Sequence, residues 1–419
     1  MSKLLLVMRK GYRIHQDHIE TIRRLGISIH LLTQVDAARN DPRFQSVTVI
    51  SDHNHDNIVH QAVAICKENN IAFCVTFQET DIEICSLINR ELDIDTVSVE
   101  AAAKGRDKSL QRKFLVEHGI PCPKFRAVGS IDEACKVSQE IGYPLILKPT
   151  RAASSSNVYL INNEAELRSK FVKIHELVEK QAGNFYESPT QTFALLEEFL
   201  PGDEVTVDGV IVDGQFYLGA IHNKKRMPGP FFEEDLYSLP FKKAEWEESI
   251  AQIAREICLF LELRNSLFNV EIRQDVSGKF KVVEFSPRIS GGHVYRNIRD
   301  VYQIDLVAAC IASLFPHLSV LVPHFLKRTA PQMCTCIKFV YRSGQVIKNN
   351  AGDTALSPYF GAYYPTAPSG NIVRTAPQGF DISGLLSIRT PFRELTDVTA
   401  CEKLAENMEQ MLALELNKI

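Results

Sequence analysis

The segment Asn269-Val270-Glu271-Ile272-Arg273-Gln274-Asp275-Val276-Ser277-Gly278-Lys279-Phe280-Lys281-Val282-Val283-Glu284-Phe285-Ser286-Pro287-Arg288 decides the fold of this chain. Its two flanks, Asn269–Arg273 and Lys281–Arg288, enclose the polar stretch Asp275–Lys279, which predicts an antiparallel hairpin. With Ser277-Gly278 as a two-residue turn, residues whose numbers sum to 555 face each other, and Glu271 falls opposite Glu284. Their Cβ atoms would then lie about 5 Å apart, with Ser286 and Arg288 following on the same face at a period of two. Two facing carboxylates repel, and a cation between them removes that cost. A hard oxygen site with few protein ligands suits Mg²⁺ held jointly with substrate phosphates. The alternative is a solvated edge where both acids face water.

Working outward, the apolar strand Pro144–Lys148 ends in a lysine, followed by Pro149 and the small, polar stretch Thr150–Asn157 with Ser154, Ser155 and Ser156. An ammonium at a buried strand end beside a loop of small residues can meet a polyphosphate with its charge and the loop's backbone N–H groups. The loop is not a Walker loop, because G-x-x-x-x-G-K-[ST] is absent. Lys108 opens an amphipathic helix read at Asp107–His118, which Gly119-Ile120-Pro121 stops. A third element, Leu195-Leu196-Glu197-Glu198-Phe199-Leu200-Pro201-Gly202-Asp203-Glu204, runs from an apolar strand into two acids and a Pro-Gly turn. It could present backbone groups to an adenine edge and the Glu204 carboxylate to ribose hydroxyls, or be a charged surface turn. His222, Lys224, Lys225 and Arg226 form a basic stretch that suits an acidic group on a substrate, or a solvated face.

The bulk properties limit what surrounds these elements. A chain of 419 residues suggests two to four domains, and 45% apolar with 23% charged residues is a globular composition. A formal net charge of −4 offers no global attraction to nucleic acid or to an acidic membrane. Apolar runs such as Leu4–Met8 are strand-sized, and Met1-Ser2-Lys3 leads straight into a strand without signal-peptide features, so the expectation is a cytoplasmic protein. Ten scattered cysteines read as reduced, mostly buried thiols; the close pair Cys334-Thr335-Cys336 lies in an apolar, strand-like run without metal spacing.

The first hundred residues alternate strands (Leu4–Val7, Ser28–Leu32, Val47–Ile50, Ala72–Thr76) with helices (His15–Leu25, about Asn57 to Asn69), a small open α/β sheet. Gly11 after the first strand lacks a G-x-G-x-x-G context, which argues against a dinucleotide loop. Leu195–Leu200, Glu204–Val212 and Gln215–Asn223 read as strands of one antiparallel sheet, about Glu179 to Thr190 as a loop, and Ala400–Leu416 as a closing helix. The expected organisation is an α/β protein, α+β in part. An N-terminal α/β domain (1–104) precedes a small lobe (105–190), a large lobe holding the hairpin (191–330) and a β-rich C-terminal part (331–419).

In this order and spacing the elements between about Lys104 and Leu314 resemble the ATP-grasp superfamily, whose members usually carry a small α/β domain in front of the nucleotide-binding part. The resemblance implies ATP and Mg²⁺ (or Mn²⁺) as cofactors, with Lys108 and Lys148 as phosphate lysines and Ser154, Ser155 and Ser156 in place of a glycine-rich flap. It also implies Glu197, Glu198, Phe199 and Leu200 as the adenine hinge, Glu204 at the ribose, and Glu271, Glu284 and Ser286 as metal ligands. The family usually has Asn where this chain has Ser286. Arg288-Ile289-Ser290-Gly291-Gly292-His293, Gln303-Ile304-Asp305-Leu306 and the stretch from His222 through Glu233-Glu234 to Leu239-Pro240 look most like the L-amino acid ligases. That likeness implies small carboxylate and amine substrates, joined through an acyl phosphate. Arg288, Gly291 and Gly292 would stabilise the oxyanion, and a homodimer would form through the N-terminal domain. The rival expectations are an ATP-grasp ligase activating bicarbonate or formate, a phosphotransferase, and a non-catalytic nucleotide-binding module.

Overall fold

The computed structural model describes residues 2–152, 157–180, 191–227, 232–376, 379 and 381–418. Strands β1 (Lys3–Val7), β2 (Ser28–Thr33), β3 (Ser46–Val49) and β4 (Phe73–Val75) form a parallel sheet in the order β3-β2-β1-β4. A parallel sheet covered on both faces needs strands that are apolar throughout, and Leu4, Leu5 and Leu6 are all fully buried. Helices α1 (Gln16–Arg24), α2 (His55–Asn69) and α3 (Ile82–Glu91) complete this unit. Leu5 and Val7 pack with Ile58, Ala62, Ile84 and Ile88 of α2 and α3. Leu4 and Leu6 belong instead to the largest core, shared with the central sheet. Helix α3 was not foreseen; it carries the chain from β4 back over the sheet.

Two capped helices lead into the site. Ser98 caps α4 (Val99–Arg106) by accepting from the Ala101 N–H, and Asp107 caps α5 (Lys108–Glu117) by accepting from the Ser109 and Leu110 N–H groups. Lys108 is thereby fixed as the first residue of a helix.

The small lobe is an antiparallel sheet of β5 (Phe125–Val128), β6 (Leu145–Pro149), β7 (Tyr159–Ile161) and β8 (Ala194–Glu198) in the order β5-β8-β6-β7, packed against α6 (Ile131–Ile141) and α7 (Glu164–Lys180). This corrects one expectation. The strand at Leu195 does not pair with Glu204–Val212; it lies between β5 and β6, with Glu197 opposite Phe125 and Ile146. The loop expected from about Glu179 begins inside α7, and its remainder, 181–190, lies outside the described residues.

The central sheet is eight-stranded. β9 (Glu204–Val212), β10 (Gln215–Arg226), β11 (Glu234–Leu239), β12 (Ser266–Gln274) and β13 (Phe280–Ser286) continue into C-terminal strands β14 (Met333–Val340), β16 (Phe360–Pro365) and β18 (Gly384–Pro391). Helices α8 (Glu247–Phe260), α9 (Val294–Tyr302), α10 (Leu306–Leu314) and α11 (Val322–Phe325) flank it. A three-stranded sheet joins β15 (Gly344–Asn350), β17 (Ile372–Val373) and β19 (Ala413–Asn417). The closing helix α12 (Thr396–Glu409) starts and ends earlier than expected, and the last residues are a strand. Leu412, Leu414 and Leu416 alternate with more exposed residues at a period of two, and residues 413–417 pair with β15. All ten cysteines are free thiols, nine of them buried. Among the described residues no helix is long and apolar enough to cross a membrane.

Candidate active site

The hairpin puts Glu271 opposite Glu284, as the turn argument requires, by a different path. Asp275 N–H donates to the Lys279 carbonyl at 2.9 Å, so three residues, Val276 to Gly278, make the turn, with Gly278 left-handed (φ +79°). That loop shifts the register by one. An irregularity between the pairs Ile272–Val282 and Glu271–Glu284 shifts it back.

A cleft of about 720 Å³ separates the small lobe from the hairpin. Its charged end gathers Lys108, Lys148, Glu271 and Glu284; its apolar end is lined by Ile146, Val158, Phe199 and Leu200. Lys108 Nζ donates to Glu284 Oε1 and to the Ala152 carbonyl, both at 3.0 Å. Burial opposes ionisation of Glu284, but the ammonium groups of Lys108 and Lys148 outweigh it and hold its pKa below the usual carboxylate value. Glu271 is the opposite case. Burial, with Glu204 and Glu284 nearby, raises it to about 7 despite the ion pair with Lys224 at 2.9 Å. Lys224 is buried among three carboxylates, Glu204 (2.5 Å), Glu271 (2.9 Å) and Glu234 (3.5 Å). Its charge therefore serves the site internally. Lys225 pairs with Glu406 at 2.5 Å, Arg226 stacks over Phe232 and His222 is fully buried. The basic stretch is thus only partly solvated: His222 and Lys224 are withdrawn from solvent, and Lys225 is exposed.

Lys148 and Glu197 form a buried triad with Arg112: Lys148 Nζ and Arg112 Nε each lie 2.5 Å from a Glu197 oxygen. Burial lowers the Lys148 pKa, with Glu197 opposing the shift. Glu198 pairs with Lys281 at 2.8 Å, and Glu204 also meets Arg273 at 3.4 Å. At the far end of the hairpin, Ser286 Oγ (3.1 Å) and Arg288 Nε (2.5 Å) both donate to Glu79 Oε2, which comes from the N-terminal domain. Gly291 and Gly292 follow on the loop before α9. Ser154, Ser155 and Ser156 lie outside the described residues. Sequence reasoning missed Arg112, Glu79 and Asp208. Arg112 stands one helical turn after Lys108, a spacing that signals a shared face.

The Arg288–Gly292 loop is clamped to the sheet through Asp208. Its Oδ1 accepts from Ser290 N–H at 2.7 Å, its Oδ2 accepts from Ser290 Oγ at 3.0 Å, and Thr206 and Asn269 extend the network. Burial raises the Asp208 pKa to about 7, the Ser290 hydrogen bonds opposing the shift. The folded chain then keeps a proton that the unfolded chain loses at an ordinary carboxylate pKa. This group's contribution to stability should decline as pH rises from about 4 to about 7, by a few kcal/mol in all. Asp208→Asn is expected to gain stability relative to wild type across that window, measured by urea unfolding at pH 5, 6.5 and 8. A constant difference between the two proteins would refute the shifted pKa.

Among the described residues no group of three or more His, Cys, Asp or Glu side chains is placed to hold a metal ion. A cation at this site would take Glu271 and Glu284 and complete its shell with phosphate and water, as Mg²⁺ commonly does. The facing, partly uncompensated acids fit that ion. The cleft as a whole, apolar at one end and charged at the other, fits a nucleoside polyphosphate.

The ATP-grasp domain family matches residues 141–296, and the chain carries an ATP-grasp domain. Its likeness in sequence and in fold runs to amino-acid ligases. The alanine–anticapsin ligase of Bacillus amyloliquefaciens is 26% identical over 271 residues, 61% of this chain and 56% of that protein, so the chain spans about half the length of the curated relatives it matches. The L-amino acid ligase from Bacillus licheniformis shares the fold with a TM-score of 0.83 at 17% identity, over 100% of this chain and 99% of that one. N5-carboxyaminoimidazole ribonucleotide synthetase from Thermotoga maritima shares it at 0.71 and 15% identity, over 100% of both chains.

Proposed function

We propose that the chain is an ATP-dependent carboxylate–amine ligase, joining two amino-acid-like substrates through an acyl phosphate and releasing ADP and phosphate. The observation that carries this reading is the convergence of Lys108, Lys148, Glu271 and Glu284 on one cleft, with Arg288 further along the same hairpin. The apolar end of the cleft takes the adenine, Glu204 the ribose, and the two lysines the phosphates. Glu271 and Glu284 would hold Mg²⁺, which would supply charge that neutralises the phosphates. Arg288 and the backbone N–H groups of Gly291 and Gly292 serve the oxyanion that forms when the amine attacks; one such donor contributes about 3–4 kcal/mol. The named activity of the alanine–anticapsin ligase supports an amino acid as one substrate.

A second reading, activation of bicarbonate or formate, draws on the fold shared with the N5-carboxyaminoimidazole ribonucleotide synthetase. Phosphate release from Mg-ATP with single amino acids and pairs, with products identified by mass spectrometry, separates the two. The ligase reading expects release that needs amino acids and a condensed product one water lighter than its parts. Release with bicarbonate or formate alone would favour the second reading, and ATP binding without release under any mixture would overturn both.

A further inference from the structure

A second cavity, of about 550 Å³, lies on the seam between the N-terminal domain and the large lobe. Domain seams are where small-molecule sites concentrate. The N-terminal side contributes β4, the loop after it and α3; the other side contributes the start of β12, α10 and the end of the hairpin, Pro287 and Arg288. Most of the wall is apolar: Val75, Ile82, Leu267, Ile311 and Leu314, with the soft, weakly polar thiols of Cys74, Cys85 and Cys310.

The polar side chains on the wall are already committed elsewhere. Asn89 spans Cys74, accepting from its N–H (3.1 Å) and donating to its carbonyl (3.0 Å), and also donates to Thr96 Oγ1 (3.1 Å). Ser86 Oγ donates to the Glu83 carbonyl and Ser266 Oγ to the Leu267 carbonyl, each at 2.8 Å. Thr76 Oγ1 accepts from Gln78 N–H at 3.0 Å, and Asn265 is bonded to Asp213. Arg288 is the one charged side chain among the described residues of the wall. Its Nε and one terminal nitrogen serve Glu79 and the Ile289 carbonyl; the other terminal nitrogen has no hydrogen-bond partner among the described residues.

A cavity of satisfied polar groups, methyls and thiols, with one guanidinium at its edge, suits an anion with an apolar tail. We propose that this cavity is the side-chain subsite for one of the two substrates and that it selects an apolar amino acid or short-chain carboxylic acid whose carboxylate is held by Arg288. The assignment rests on the ligase reading for its place in the reaction, since Arg288 lies two residues past the end of the strand that carries Glu284. Its ligand chemistry stands on the wall alone.

The test is calorimetric titration of the full chain, with and without Mg-ADP, using L-leucine, hexanoate and glycine as probes. Leucine and hexanoate are expected to bind more tightly than glycine. Ser86→Phe, which fills the cavity from α3, should weaken both by about tenfold or more, in keeping with how steeply apolar pockets respond to added or missing methylenes. It should leave Mg-ADP affinity and glycine binding within about twofold. Because an overfilled seam can fail to fold, Cys310→Ala is the second variant. It enlarges the same space and should shift preference toward the longer acid. Unchanged relative affinities in both variants, or no binding of any probe, would overturn the subsite. Tight, Ser86→Phe-sensitive binding of the apolar acids in a chain that releases no ADP would uphold the subsite and overturn the ligase reading alone.

Discussion

Glu284→Gln is expected to abolish ADP formation while leaving the fold standing. The carboxylate sits where the charges of the cleft meet: Lys108 donates to it at 3.0 Å, Glu271 faces it across the hairpin, and Lys148 helps to hold it ionised. A cation held by Glu271 and Glu284 would contribute several kcal/mol of charge stabilisation to phosphoryl transfer. At 1.36 kcal/mol per tenfold, losing it slows turnover by about a thousandfold or more. The effect on stability should be small, because two terms oppose. The substitution strips Lys108 of an ion pair, yet it also relieves the repulsion that Glu284 adds to burial in raising the pKa of Glu271. Lys108 keeps the Ala152 carbonyl as a partner. Single-turnover ADP formation and urea unfolding on the same preparations check both halves. Wild-type turnover with unchanged Mg²⁺ dependence would remove Glu284 from the metal site, and an unfolded variant would show that the carboxylate is structural.

How much of this was legible in the sequence depends on distance along the chain. The N-terminal sheet and α1 could be read from local pattern, because burial on both faces of a strand and on one stripe of a helix leaves a period in the residues. The facing pair Glu271–Glu284 was read correctly because two departures from an ideal hairpin cancel, a three-residue turn and a register irregularity beyond it. The neighbouring hairpin has no such cancellation. A two-residue turn at Asp213-Gly214 holds the register up to the pair Leu218–Gly209, after which it slips by one residue and Glu204 meets Lys224. Gly219 inside the strand was the available hint, since an interior glycine often marks a bulge. The contribution of Glu79 could not be read at all. It reaches Ser286 and Arg288 across more than two hundred residues of sequence, through docking of one domain on another, and spacing carries no trace of that. The misplaced strand Ala194–Glu198 has the same cause: its partners, β5 and β6, lie far upstream, while the sequence offers only its neighbour, β9.

Glu197→Gln is the substitution expected to cost the most stability. In sequence Glu197 resembles part of an adenine hinge, yet its side chain is 3% exposed and is shared between Lys148 Nζ and Arg112 Nε, 2.5 Å from each. Burial alone would raise its pKa, but the two cations outweigh burial and hold it ionised. A neutral amide there leaves two buried cations without a counter-charge, and breaking a buried pair from one side costs about 3–5 kcal/mol. The deficit belongs to the orphaned cations, so adding Arg112→Met to Glu197→Gln should recover part of it, although each change alone destabilises. Nucleotide binding supplies a further discriminator. A hinge role predicts a weaker affinity for ATP with little change in unfolding, whereas the triad predicts a large loss in the unfolding midpoint that ATP phosphates, by approaching Lys148, partly offset. Urea unfolding of the single and double variants, with and without Mg-ATP, decides between them. A single variant within about 0.5 kcal/mol of wild type would mean that the triad contributes nothing to holding β6, β8 and α5 together.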